Sequence, residues 1–244
     1  GKLATHYKGV PRYAALVLDE RTNDRSLVMT SSFTNLVLAG SAMGGRGGDA
    51  AWQVGVRRVA DCVQGVFDRG ADALATVAGR DFDKAVYLGS GGALGAAREA
   101  ALKMLEMTAG RVTTMAETFL GLRHGPMSSL DRDTLVVAFL SPNAGVRAYE
   151  YDLLRELARK QLGTVRVLVG EGIADEVAGP QDVAVDLQGL QADDDALPLL
   201  ADVVVGQLLA FFRCLALGGK PDAPAQGVLT RVVEAFALHP GAAA

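Results

Sequence analysis

An apolar run, Ala85 to Leu88, leads into Gly89-Ser90-Gly91-Gly92, and a helical pattern begins at once. A strand, a glycine turn and a helix in immediate succession belong to α/β proteins, where such turns sit at the carboxyl ends of parallel strands. On the helix, Glu99, Lys103 and Glu106 fall at i, i+4 and i+7 and share one face. A glycine turn at a helix N-terminus offers backbone N–H groups and a positive dipole end, so Ser90, Gly91 and Gly92 are candidate contacts for an anion such as a sugar phosphate. Two carboxylates and an ammonium beyond that turn could supply proton-transfer groups. The plain alternative is a solvated stripe held by i,i+4 pairs, each worth a few tenths of a kcal/mol.

The rest of the chain alternates in the same sense. Strands are expected at 14–18, 85–88, 112–116, 134–140, 165–169 and 183–187. Helices are expected at 30–42, through Trp52, Val56 and Val59 to about Val77, at 93–107, near 117–123, at 145–161 and at 197–217. Short β-branched runs between helical patterns argue for a parallel sheet covered by helices on both faces. A Gly-rich turn at 44–48 and a break at 79–83 bracket the long helix, which reads as a connector between domains 1–78 and 79–244. Asp202, Gln207 and Arg213 interrupt the longest apolar stretch, Ala196 to Leu217, which argues for a buried helix and against a membrane span.

Several function classes fall away. Glycines at 89, 91 and 95 miss the G-x-G-x-x-G spacing, because Leu94 stands where the third is needed, so nicotinamide binding is rejected. No cluster of His, Cys and carboxylates shows metal-ligand spacing, and no cofactor is expected. Cys62 and Cys214 are the only two cysteines and lie far apart, which fits a reducing, cytoplasmic setting. A net charge of −4 with scattered Lys and Arg makes a nucleic-acid surface a poor reading. Thr30, Ser31 and Ser32 open an apolar helical run; they suit helix capping and ligand contact equally.

Longer stretches resemble a known family. The run GSGG…REAALKMLEMTAG…LGLRHGPMSSLDRDTLVVAFLS resembles the second sugar isomerase (SIS) domain of phosphosugar isomerases. It is most similar to the galactosamine-6-phosphate deaminase/isomerase branch, also called tagatose-6-phosphate ketose/aldose isomerases. ERTNDRSLVMTSSFT at 20–34 resembles a late segment of that branch's first SIS domain, and GVLTRVVEAFALHP at 227–240 resembles its C-terminal tail. The resemblance implies a flavodoxin-like three-layer αβα fold, with the second SIS domain complete and the first partial. It implies a ketose/aldose isomerase for a hexose- or amino-hexose-6-phosphate, with or without deamination, and a homo-oligomer with shared active sites.

The isomerase domain of glucosamine-6-phosphate synthase carries the helix motif E-x-x-x-K-x-x-E followed by a K-H-G-P turn. Glu99, Lys103 and Glu106 fit the helix, and Arg123-His124-Gly125-Pro126 fits the turn. By that resemblance Glu106 moves a proton between C1 and C2 of the open-chain sugar. His124, reaching in from a neighbouring subunit, opens the ring, while Lys103 and Glu99 polarise the reacting oxygens and tune Glu106. The segment from Thr30 to Ser32 lines the sugar end of the cleft, and Arg231 stands for the synthase's tail lysine.

Two departures bear on these expectations. The S-x-S-G-x-[ST] phosphate loop of the first SIS domain has no counterpart in this sequence, so the chain reads as N-terminally truncated or as lacking that grip. Met127 stands where the branch has lysine after H-G-P. An alternative function follows: a non-catalytic SIS module that binds a phosphosugar as a regulatory signal.

Overall fold

The structure, a computed structural model, describes residues 2–46, 48–163, 165–190, 197–225 and 228–229. Five strands, β1 (Lys84–Gly89), β2 (Thr113–Glu117), β3 (Leu135–Phe139), β4 (Val165–Gly170) and β5 (Val183–Asp186), form one parallel sheet in the order β2-β1-β3-β4-β5. The central strands KAVYLG, LVVAF and VRVLVG are near-continuous apolar runs, as strands buried on both faces must be. The helices are α1 (Lys2–His6), α2 (Ser31–Ser41), α3 (Ala50–Ala78), α4 (Ala93–Met107), α5 (Phe119–Arg123), α6 (Ala144–Lys160) and α7 (Pro198–Ala216).

Alternate residues of each strand divide the core in two. Ala85, Tyr87, Leu135, Val137, Phe139, Val167 and Val169 pack with α3, α4 and α7. Val86, Leu88, Val136, Ala138 and Leu168 pack with α5 and α6. The expected three-layer α/β class is therefore what the chain adopts, and the element positions read from sequence hold to within a few residues for 84–217.

One expectation fails. Ala14–Leu18 carries a strand-like apolar run, but among the described residues no strand pairs with it, and Leu16 and Val17 are exposed. A strand is stable only where a neighbour takes its backbone hydrogen bonds, which composition cannot supply. A smaller difference lies at 42–46, where one wider helical turn prolongs α2 into part of the expected glycine turn.

α7 is long and apolar enough to cross a membrane by length and composition alone, yet it lies in the core against α3 and α4. Its Arg213 is buried and closes the junction from α3 into β1. The guanidinium donates to the carbonyls of Ala78 (3.0 Å), Arg80 (2.6 Å) and Phe82 (2.5 Å) and lies 4.0 Å from the Phe82 ring centre. On the other layer, Arg166 is buried against Asp182 and also donates to the carbonyls of Leu154 and Val177.

α4 and α7 meet through small residues. A Cβ placed on Gly206 would sit 2.4 Å from the Cβ of Ala100, so the contact leaves room for hydrogen alone. We expect Gly206→Val to overpack this crossing and to lower stability by about 1–3 kcal/mol, read as a lower urea midpoint with an unchanged slope.

Candidate active site

The sequence stripe is real and is partly buried. Lys103, 3% exposed, lies on the flank of α4's core-facing surface. Its Nζ is 2.8 Å from Glu106 Oε2 and 3.2 Å from Glu99 Oε1. A buried ammonium is stable only when paired, and the two carboxylates one turn either side provide that pairing at a net charge of −1. Glu106 is the more exposed of the two acids, so the triad presents a carboxylate outward while holding a cation beside it. That is the arrangement an enediol reaction asks for: a base at the carbon and a positive charge at the oxygen.

His124 ends α5, with its amide donating to Gly121 O at 3.0 Å and its ring exposed. Arg123 is fixed to Glu156 at 2.9 Å, and Glu156 in turn takes Lys160 at 2.7 Å. Gly125 has φ 148°, a value that L side chains rarely adopt, and Pro126 starts a short 3-10 turn over Pro126–Ser129. Through Phe119 and Leu122, α5 packs on the face of the sheet opposite α4. Within one chain, then, His124 and Glu106 lie on opposite faces.

The glycine turn is shaped as its sequence suggests. A Cβ on Gly89 would come within 2.3 Å of Ala93 O, and Gly91 has φ 56°. Ser90, Gly91, Gly92 and Ala93 line a cavity of about 330 Å3. Leu140 to Asn143 after β3, Gly170 and Glu171 after β4, and Pro198, Leu199 and Asp202 of α7 also line it, with Val146 and Arg147 of α6 and Leu187 and Leu190 after β5. This is the crevice between the turns after β1 and β3, where strand order reverses and where doubly wound sheets bind ligands.

None of the triad lines this cavity. From Gly92 to Glu106 the helix rises roughly 20 Å at 1.5 Å per residue. A six-carbon sugar phosphate reaches roughly 9 Å from phosphorus to C1, by ordinary bond lengths. The structure does not bring Ser90, Gly91 and Gly92 to the same ligand as Glu106.

Thr30, Ser31 and Ser32 converge on Asp24 instead. The Asp24 carboxylate accepts from the Thr30, Ser31 and Ser32 amides and from the Thr30 and Ser31 hydroxyls, all within 3.3 Å. Burial works against its charge, yet the Ser32 amide and the hydroxyls of Ser31, Thr30 and Ser32 hold its pKa down at about 2. Asp24 therefore caps α2 from six residues upstream. Thr30 also lines a second cavity, of about 280 Å3, with Met107, Phe67 and Gln207 near the C-terminal end of α4. Arg231 lies outside the described residues.

Sequence reasoning missed two acids. Asp202 is 7% exposed, lines the first cavity and makes no hydrogen bond among the described residues. Burial, helped by the nearby Glu150 charge, pushes its pKa up to about 8. Glu150 is fully buried; one oxygen takes the Ser141 amide at 2.8 Å and the other has no partner among the described residues. Burial raises its pKa too, against the Ser90 hydroxyl, the Ser141 amide and Arg147. For Asp202 the signal available was an acid inside an apolar helical run; Glu150, in a charged helix, gave none. A carboxyl whose folded pKa is raised favours folding when protonated, so stability is full below about 4 and declines as pH rises toward about 8. We expect Asp202→Asn to flatten that decline in urea titrations at pH 5 and pH 8, and to stabilise the protein at the higher pH.

No protein-family model matches the chain. Individual proteins do. A Streptomyces coelicolor protein provisionally named D-galactosamine-6-phosphate deaminase AgaS is 37% identical over 246 residues, spanning 98% of this chain and 62% of that protein. A solved structure from Clostridium novyi NT, provisionally named a tagatose-6-phosphate ketose/aldose isomerase, aligns with a TM-score of 0.86 at 32% identity, over 99% of this chain and 62% of its own. The Escherichia coli tagatose-6-phosphate ketose/aldose isomerase aligns at 0.82 and 32% identity, over 96% and 62%. The chain spans about three fifths of the length of these relatives. Over the part it spans, the chain is similar to these proteins in sequence and in fold, and it carries the triad and the R-H-G-P turn.

Proposed function

We propose that this chain is the part of a phosphosugar ketose/aldose isomerase that carries the proton-transfer groups. The substrate class is a hexose- or amino-hexose-6-phosphate of the tagatose/galactosamine type. Residues 79–244 read as a second SIS domain, and 1–78 as part of a first with α3 as connector. The observation that carries the reading is Lys103, buried between Glu99 and Glu106 with Glu106 turned outward. The relatives' names supply the substrate class.

In this reading the Glu106 carboxylate takes a proton from one of C1 and C2 of the open-chain sugar and returns it to the other. The Lys103 ammonium stabilises the enediolate oxygen as charge develops, and Glu99 holds Lys103 in place. With an amino sugar the same proton shift converts the 2-amino aldose to a 2-imine, which water hydrolyses to the ketose and ammonia. His124 serves as the ring-opening acid. Its place on the opposite face of the sheet supports a homo-oligomer in which it enters a neighbour's site. Leu102 and Leu105, 43% and 41% exposed on α4 beside the triad, fit a cleft completed by another protein surface. Two buried free thiols, Cys62 and Cys214, accord with a cytoplasmic setting.

Incubation in D2O with tagatose-6-phosphate or galactosamine-6-phosphate should place deuterium at C1 or C2, read by NMR. Glu106→Gln should slow exchange by about 10²–10⁴-fold while ligand binding persists; full exchange in that variant would remove Glu106 from the mechanism. Shared sites have their own readout. Glu106→Gln and His124→Ala chains, each inactive alone, should regain part of the activity when co-assembled, whereas a site built within one chain would give none.

A further inference from the structure

The cavity at the strand crossover has features the isomerase reading leaves unused. The amides of Gly91 and Gly92 donate to no group among the described residues, and they lie at the start of a 15-residue helix whose N-cap has no side-chain bond. Free amides and a positive helix end select an anion, phosphate above all. Across the same cavity stands Asp202, more than nine-tenths buried and without a hydrogen-bond partner among the described residues. An unpartnered buried carboxyl is costly, and a ligand hydroxyl or ammonium would relieve it. Between the two ends lie Leu140, Val146, Leu187 and Leu199, which would exclude water from the ligand's flank. Arg147 is spent on the backbone carbonyls of Ser141 and Glu171, so it lines the wall with its bonds already made.

We infer that this cavity is a second, non-catalytic ligand site for a small phosphate monoester with hydroxyl or amino groups, its phosphate on Gly91 and Gly92 and its far end on Asp202. The ligand class rests on the phosphosugar reading above; the site's existence does not. Its separation from Glu106, by more than the length of one such molecule, makes it an effector site. The crossing of α4 and α7 at Ala100 and Gly206 links the two, because the same helix carries the anion turn at one end and the triad further along.

The test is calorimetric titration of the chain carrying both Lys103→Met and Glu106→Gln, with galactosamine-6-phosphate and, separately, inorganic phosphate as probes. The sugar phosphate should bind at a site sensitive to Val146, distinct from any binding that persists at the triad, and more tightly than inorganic phosphate. Val146→Trp fills the cavity mouth from a position 37% exposed, and should weaken binding at least tenfold without lowering the melting temperature. Asp202→Asn should weaken the sugar phosphate and leave inorganic phosphate nearly unchanged. No binding in the double variant, or affinity indifferent to Val146→Trp, would overturn the site. Deuterium exchange by the chain with its triad intact reads the isomerase, whereas binding to the double variant reads this cavity, so failure of the isomerase reading and failure of this one give different results.

Discussion

The close packing of α4 on α7 decides where the chemistry can be. Ala96, Ala97, Ala100 and Ala101 are all buried on α4, and Gly206 faces Ala100 with no space for a methyl group. Small residues bring the two axes together at this crossing, and in a close-packed core α4 cannot roll without opening a void. That fixed roll sets Lys103 on the flank, deep enough to be stripped of water but near enough to the surface for Glu106 to emerge. It also sets Asp202, one turn before Gly206, beside the glycine turn. The triad and the cavity are thus opposite consequences of one helix contact.

How the protein treats its buried charges separates framework from site. Arg213 donates to three carbonyls at the α3–β1 junction, and Arg166 joins Asp182 and two carbonyls under α6. Lys103 has two carboxylates on its own helix. Each of these cations has partners, and the two arginines tie together pieces of chain distant in sequence. Glu150 and Asp202 break the pattern. They are acids without a cation in hydrogen-bond contact, mutually repulsive, and both are pushed toward their protonated forms by burial. A core does not gain stability from such a pair, and Asp202 lines the crevice with Glu150 within electrostatic reach, which points to binding rather than to folding.

Local periodicity made the fold legible from Lys84 onward, because strands buried on both faces and helices with small-residue faces each leave a distinct pattern. It failed at Ala14–Leu18, where an apolar run met no partner to pair with. The triad was legible as well, since i, i+4 and i+7 are fixed by helix geometry. What sequence reading merged was the triad and the glycine turn: spacing was read as a shared face, while the same residues count out a length too great for one small ligand. Asp24 draws no role from the sequence, where Asp24-Arg25 reads equally as a surface ion pair and Thr30 to Ser32 as caps in their own right. Glu150 and Asp202 are 52 positions apart, and only the crossing of the sheet brings them within electrostatic reach.

The placement of His124 bears on why such a chain would assemble. α5 follows β2, the edge strand, and crosses to the face that α4 does not occupy. The R-H-G-P turn is held rigidly there, by the Arg123–Glu156 pair and by the positive φ of Gly125, yet it holds its imidazole out to solvent. Rigid support of an exposed, titratable side chain has no purpose in the stability of a single chain. It does have one if the ring must meet a surface from another copy, because pre-ordering removes the entropy cost of fixing the turn at each encounter. Under the proposed function, the separation of His124 and Glu106 across the sheet would make assembly part of the active site, with ring opening and proton transfer contributed by different subunits to one substrate.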